Sequence, residues 1–190
     1  MRILAVSGSL RRGSHNSTLL RSAVDLLLPL GVEVVICDSL RHIPPYDEDV
    51  LDSPPASVQR LRDEVDAVDA VLIATPEYNR SVPGQLKNAL DWLSRPLAES
   101  PLRSKPAAVV GASTGGFGAV WAQAELRKVL AAIGARVLDR ELPVPNADEQ
   151  FTSDGRLVDP ELEQDLASVL QELIDVANSQ PQVLAGATAR

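Results

Sequence analysis

Residues 2–37 read RILAVSGSLRRGSHNSTLLRSAVDLLLPLGVEVVIC, and this stretch decides the fold. Its opening, Arg2 to Ser7, is a short apolar run of the kind that forms a strand buried on both faces. From Asn16 to Leu30, leucines at 19, 20, 26, 27 and 28, with Val24 between them, give a helix an apolar face, and Gly31 is placed to end it. Val32 to Cys37 is rich in β-branched residues and reads as a second strand. A strand, a helix and a second strand in that order form a parallel crossover unit.

The alternation continues outward. Val58 to Val68 has apolar residues at helical spacing, and Asp69 to Thr75 is a third strand. Val82-Pro83-Gly84 opens a helix running through Trp92, with proline tolerated in its first turn. Pro106 to Ala112 is a fourth strand, followed by a helix from Ala119 to Ile133 that Gly134 ends. Arg136 to Leu138 begins a fifth strand, and Pro160 to Val176 is the last helix. Ile43 to Pro55, with four prolines and four acidic residues, reads as loop, and Pro143 to Asp159 as a long irregular connection. The expected fold is α/β: a doubly wound, five-stranded parallel sheet in the flavodoxin-like order 2-1-3-4-5, with helices on both faces. Residues 1–178 are expected to form one domain and 179–190 a flexible tail. In such sheets a ligand sits beyond the carboxyl ends of the strands, at the switch point between strands one and three. The loops after strands one, three and four should therefore carry the chemistry.

Bulk composition narrows the function. Of 190 residues, 45% are hydrophobic and 23% charged, near the average for globular chains. A net charge of −8 repels phosphate backbones and anionic lipid, and 3% aromatics leave little for base stacking, so no nucleic-acid or membrane partner is expected. Apolar stretches such as Ala23 to Leu30 are too short to span a bilayer. The amino end shows no signal-peptide pattern, and a cytoplasmic protein is expected. Cys37 is the single cysteine, which rules out an intrachain disulfide and a zinc cluster built from thiolates; no metal site is expected.

The loop after strand one is Ser7-Gly8-Ser9-Leu10-Arg11-Arg12-Gly13-Ser14-His15-Asn16-Ser17-Thr18. A helix start with unpaired N–H groups, the hydroxyls of Ser9, Ser17 and Thr18, and the Arg11 cation suit a terminal phosphate. An ordinary turn capped by Ser14 or Asn16 is the plainer reading. The loop has no Gly-Lys-Ser/Thr, and Gly8 and Gly13 do not match the dinucleotide fingerprint, so it fits a monophosphate better than a pyrophosphate. The loop after strand three, Thr75-Pro76-Glu77-Tyr78-Asn79-Arg80-Ser81, is polar with one aromatic, which suits gripping a flat heteroaromatic ring. After strand four comes Ser113-Thr114-Gly115-Gly116-Phe117-Gly118, whose glycines let backbone approach a planar ligand.

Together the segments GSLRRGSHNS at 8–17, PEYNRSVPGQLKNALDW at 76–92 and STGGFG at 113–118 resemble the NAD(P)H-dependent FMN reductase family, which includes bacterial quinone and chromate reductases. The later LPVPNA and DGRLVDP segments extend the resemblance to about residue 175. The resemblance implies that Ser9, Arg11, Asn16 and Ser17 hold the FMN phosphate. By the same resemblance Pro76, Glu77, Tyr78 and Asn79 line the isoalloxazine and ribityl side, and Ser113 and Gly116 meet the pyrimidine end. It further implies NADPH or NADH as co-substrate, a small-molecule electron acceptor and a homodimer or homotetramer. The chain departs from the family at Phe117 and Ala119-Val120-Trp121, where smaller or more polar residues are usual.

With flavin carrying the chemistry, no catalytic side chain is required. Arg80, at the edge of the flavin loop, is open to contact with the pyridine nucleotide or to a surface role. His15 is open to a phosphate contact, while His42 reads as an ordinary loop residue and Cys37 as a small buried hydrophobe. Two competing readings keep FMN without the turnover: an electron-carrier flavodoxin and a regulatory protein. A carrier usually sandwiches the ring between aromatics, and one aromatic in the loop weighs against it.

Overall fold

The computed structural model describes residues 1–179. The tail expected at 179–190 falls, apart from Ser179, outside the described residues. The strands are β1 (Arg2–Ser7), β2 (Glu33–Ile36), β3 (Ala70–Ala74), β4 (Pro106–Ala112), β5 (Arg136–Val137) and β6 (Pro143–Val144). The α-helices are α1 (His15–Leu27), α2 (Ala56–Asp66), α3 (Gly84–Leu93), α4 (Val120–Ile133) and α5 (Pro160–Asn178). The order β2-β1-β3-β4-β5 is that of a flavodoxin-like sheet, and every pairing between these strands is parallel.

The two-residue side-chain period of the strands divides the interior in two. Leu4, Val6, Val71, Ile73, Ala107 and Val109 pack with the buried faces of α2, α3 and α4. Ile3, Ala5, Leu72, Ala74, Ala108 and Val110 face the other way, onto α1 and α5. β1, β3 and β4 are therefore buried on both faces, which is why they read as unbroken apolar runs.

Two stretches differ from the sequence expectation. The helix expected to run to Leu30 stops at Leu27, and Leu28–Leu30 tighten into a 3₁₀ turn that Gly31 closes at φ 72°. Pro29 explains the break, since it has no N–H to continue the ladder. The connection read as irregular from Pro143 contains β6, which pairs with the carboxyl-terminal half of β4 through Gly111↔Pro143 and Ala112↔Val144. β4 thus has two successive neighbours on one edge, β5 and then β6. A second bridge, Phe151↔Leu157, folds residues 151–157 back on themselves. Ser22 Oγ ties this turn to α1 by donating to the Gly155 carbonyl at 2.7 Å.

Candidate functional site

The three loops singled out in the sequence meet at the carboxyl end of β1, β3 and β4. Between them lies a cleft of about 260 Å³. Gly8 allows the close approach: its N–H donates to Ala74 O at 2.8 Å, and a Cβ there would lie 2.9 Å from Leu86 Cδ2 and 3.3 Å from Pro76 Cδ. Seven of the ten expected site residues line the cleft: Ser9, Arg11, Asn16, Pro76, Glu77, Tyr78 and Ser113. Ser14, His15, Ala112 and Thr114 complete the lining. Ser17, Asn79 and Gly116 do not line it.

The first loop is held by its own polar groups. Ser14 caps α1, its hydroxyl accepting from Ser17 N–H at 3.4 Å. Ser17 Oγ donates to Ser7 Oγ at 2.9 Å, so Ser17 works beneath the loop instead of on its surface. Ser9 Oγ accepts from Arg11 N–H at 3.3 Å, and the Arg11 guanidinium donates to Gly13 O at 2.6 Å. Arg41 also clamps the loop, donating to Leu10 O. The N–H groups of His15 and Asn16, in the first helical turn, have no acceptor among the described residues. His15 stacks on Phe151, with ring centroids 6.2 Å apart and planes 12° from parallel.

The Asn16 side chain is tied to the protein's own backbone. It is 2% exposed; its Nδ2 donates to Ala112 O and its Oδ1 accepts from Ala112 N–H, both at 2.9 Å. The β3–β4 ladder ends at Ala74↔Val110, and the Asn16 amide takes the next place as a surrogate peptide group. What Asn16 offers the cleft is its backbone N–H.

Glu77 also has a structural task. Its Oε2 accepts from the N–H groups of Trp121 and Ala122 at 3.0 and 3.1 Å, capping the amino end of α4. This ties the third-strand loop to the glycine-rich loop and occupies the one carboxylate in the cleft lining. Asn79 and Arg80 form the tip of a tight hairpin turn, at φ 53° and 60°, closed by reciprocal hydrogen bonds between Tyr78 and Ser81 at 3.1 Å. Both central residues at positive φ is the mark of a type I′ turn. Asn79 is exposed at this tip, which explains its absence from the cleft wall.

Gln123 escaped the sequence reading. It is fully buried; its Nε2 donates to Gly118 O and its Oε1 accepts from Leu142 N–H, both at 3.0 Å. It thereby fixes the glycine-rich loop against the segment leading into β6. A signal was present, because Gln123 stands on the same stripe of α4 as Leu126, Leu130 and Ile133. Trp92 is core, 1% exposed, with Nε1 donating to Pro44 O at 2.9 Å. Cys37 is buried and meets Ser39 Oγ at 3.2 Å; burial pushes its thiol pKa up.

A switch-point cleft that gathers hydroxyls, a guanidinium and the open N–H groups of a helix start has the build of a flavodoxin-like protein for a phosphate-bearing cofactor. The donor set fits the monophosphate of FMN, since its single carboxylate is committed to α4. The NADPH-dependent FMN reductase family model matches residues 1–149. An NAD(P)H-dependent FMN reductase of Pseudomonas aeruginosa is 44% identical over 176 residues, covering 91% of this chain and 93% of the relative. A quinone reductase of Escherichia coli is 40% identical over 142 residues, or 74% of each chain. Among solved structures, the flavoenzyme NAD(P)H:(acceptor) oxidoreductase FerB of Paracoccus denitrificans superposes with a TM-score of 0.82 at 34% identity, covering 93% of this chain and 96% of that one. The chain belongs to the NADPH-dependent FMN reductase family: it is an FMN-dependent oxidoreductase that draws electrons from NAD(P)H.

Proposed function

We propose that this chain reduces small acceptors of the quinone type at FMN held in the switch-point cleft, with free flavin, azo compounds and chromate as further acceptors. The observation that carries the reading is the convergence of the three loops on one cleft whose lining is rich in donors and whose only carboxylate is already engaged. When bound, FMN supplies the redox chemistry, taking hydride from the nicotinamide and passing electrons to the acceptor. The chain binds, orients and shields. Ser9, Arg11 and the N–H groups of His15 and Asn16 hold the phosphate, with Ser17 bracing them from beneath. Pro76, Glu77 and Tyr78 form the wall for the ribityl chain and ring, and Ser113 meets the pyrimidine end. Asn79 acts through the shape of its turn, and Gly116 leaves open space for the pyrimidine end. Tyr78 is the one phenylalanine, tyrosine or tryptophan in the lining and is 54% exposed, which supports an open flavin face for exchange with small molecules over the sandwich of a carrier. No helix among the described residues is long and apolar enough to cross a membrane. A cytoplasmic homodimer or homotetramer is the assembly we assign.

The test is an anaerobic titration of the FMN-loaded chain with NADPH and NADH, read in the visible flavin band. Bleaching by either nucleotide, reversed on adding a quinone, is expected. A bound flavin that neither nucleotide bleaches would move the protein to the carrier or regulatory class.

A further inference from the structure

The sequence holds only two each of phenylalanine, tyrosine and tryptophan. Three of these are exposed around the cleft: Tyr78 and Phe117 on its loops, at 54% and 66%, and Trp121 in the first turn of α4, at 39%. The Phe117 and Trp121 rings lie 4.9 Å apart at 59°. The Arg80 guanidinium sits 5.1 Å from the centre of the Trp121 ring. The cluster is fastened to the cleft wall, because the Trp121 N–H donates to the cleft-lining Glu77.

Arg80 occupies the second central position of its turn at φ 60°, where glycine is favoured. Among the described residues it has no ion-pair partner. An arginine kept in a backbone conformation unsuited to it, with its guanidinium laid over an exposed indole beside the cleft, points to a ligand. The turn, the Glu77 cap and the left-handed Ala119 before α4 fix the cluster before any ligand arrives.

We propose that Arg80, Trp121 and Phe117 form a selection rim for planar aromatic acceptors that carry a sulfonate or carboxylate. This deepens the acceptor-reductase reading and rests on it. Aromatic faces offer a flat acceptor stacking area from side chains with few rotors to freeze. The guanidinium matches sulfonate and carboxylate oxygens with paired donors while remaining stacked on an indole. On a chain with a net charge of −8, and with Arg11 taken up by the phosphate, the Arg80 cation favours the approach of an anionic acceptor to the cleft edge. Because the rim is exposed, its selectivity falls as salt rises.

The FMN-loaded protein and its Arg80→Gly, Arg80→Lys and Trp121→Ala variants are compared with 1,4-naphthoquinone, its 2-sulfonate and ferricyanide as acceptors. Glycine suits the turn, so Arg80→Gly removes the cation without disturbing the fold. It is expected to lower the sulfonated-to-unsulfonated ratio of kcat/KM about tenfold, mainly through KM, with Arg80→Lys recovering part of the ratio. Trp121→Ala is expected to lower kcat/KM several-fold for both naphthoquinones relative to ferricyanide. Naphthalene-2-sulfonate, which accepts no electrons, reads the rim without turnover. Its Kd, followed by tryptophan fluorescence, should weaken about tenfold in Arg80→Gly. An unchanged acceptor ratio together with an unchanged Kd would overturn the proposal. So would a loss confined to KM for NADPH, or a Trp121→Ala variant that changes sedimenting mass but no acceptor ratio, which would make the rim a contact with a second copy. Failure of NADPH to bleach the wild-type flavin is a separate result and sinks the parent reading, whereas the naphthalenesulfonate measurement still judges the rim.

Discussion

Replacing Asn16 with alanine tests how the cleft is built. The Asn16 amide is buried and makes two hydrogen bonds of 2.9 Å to the backbone of Ala112, itself 2% exposed. Alanine removes both partners and leaves a buried N–H and a buried C=O unmet. Each costs about 1–3 kcal/mol, so the pair sums to about 2–5 kcal/mol after some relief from entering water. Against a typical domain stability of about 5–15 kcal/mol, that is a large fraction. The assay is urea unfolding of the FMN-free chain, with the midpoint falling and the slope unchanged. Asn16→Asp keeps an acceptor for the Ala112 N–H but sets a carboxylate against the Ala112 carbonyl. It should be at least as unstable near neutral pH and recover in part on acidification, when a protonated carboxyl can donate. A loss below about 1 kcal/mol in Asn16→Ala would refute the ladder role. Normal stability with collapsed FMN affinity would return the amide to the phosphate.

Arg11→Ala removes a charge-assisted contact worth about 1.5–3 kcal/mol, so the Kd for FMN should rise roughly tenfold to 150-fold. Riboflavin, which lacks the phosphate, should bind the variant as it binds wild type; unchanged FMN affinity, or equal losses for both ligands, would remove Arg11 from the phosphate site. Gly118→Ala places a Cβ 2.6 Å from Val144 N and 2.7 Å from Pro143 C, at φ 58°, where neighbouring backbone cannot yield cheaply. A cost of about 2–4 kcal/mol should appear as a Tm lowered by roughly 5–15 °C, while Gly116→Ala, with nothing within 4 Å of its Cβ, should melt like wild type. Equal melting temperatures for the two variants would show that the approach of this loop to β6 is not tight.

The central strands and the three site loops were legible because burial on both faces leaves unbroken apolar runs, and because the parallel order fixes which loops converge. β6 was not, since two residues beginning with Pro143 carry no period; only the reach of β4 beyond β5 creates a partner for them. The loop that holds Asn16 and Ser17 is legible in the sequence, but the protein's own partners for their side chains, Ala112 and Ser7, are not. Hydroxyls and amides at a helix start suit a ligand and the protein's own polar groups equally well, and the Asn16 amide meets Ala112, 96 residues away, only once the fold is formed. Gln123 was missed because a glutamine between alanines reads as solvated unless the stripe it shares with leucines is followed.

The two tryptophans give the molecule separate optical reporters. Trp92 is enclosed with its indole N–H bonded to Pro44 O and lies 5.1 Å from Tyr46, so its emission should be blue-shifted and change only when the core opens. Trp121 is 39% exposed beside the cleft, under a guanidinium, and should emit to the red and respond to whatever occupies the neighbouring surface. A Trp121→Phe chain would carry a single probe of unfolding, and a Trp92→Phe chain a single probe of the rim. Unfolding and occupancy could then be followed in one instrument without attaching a label.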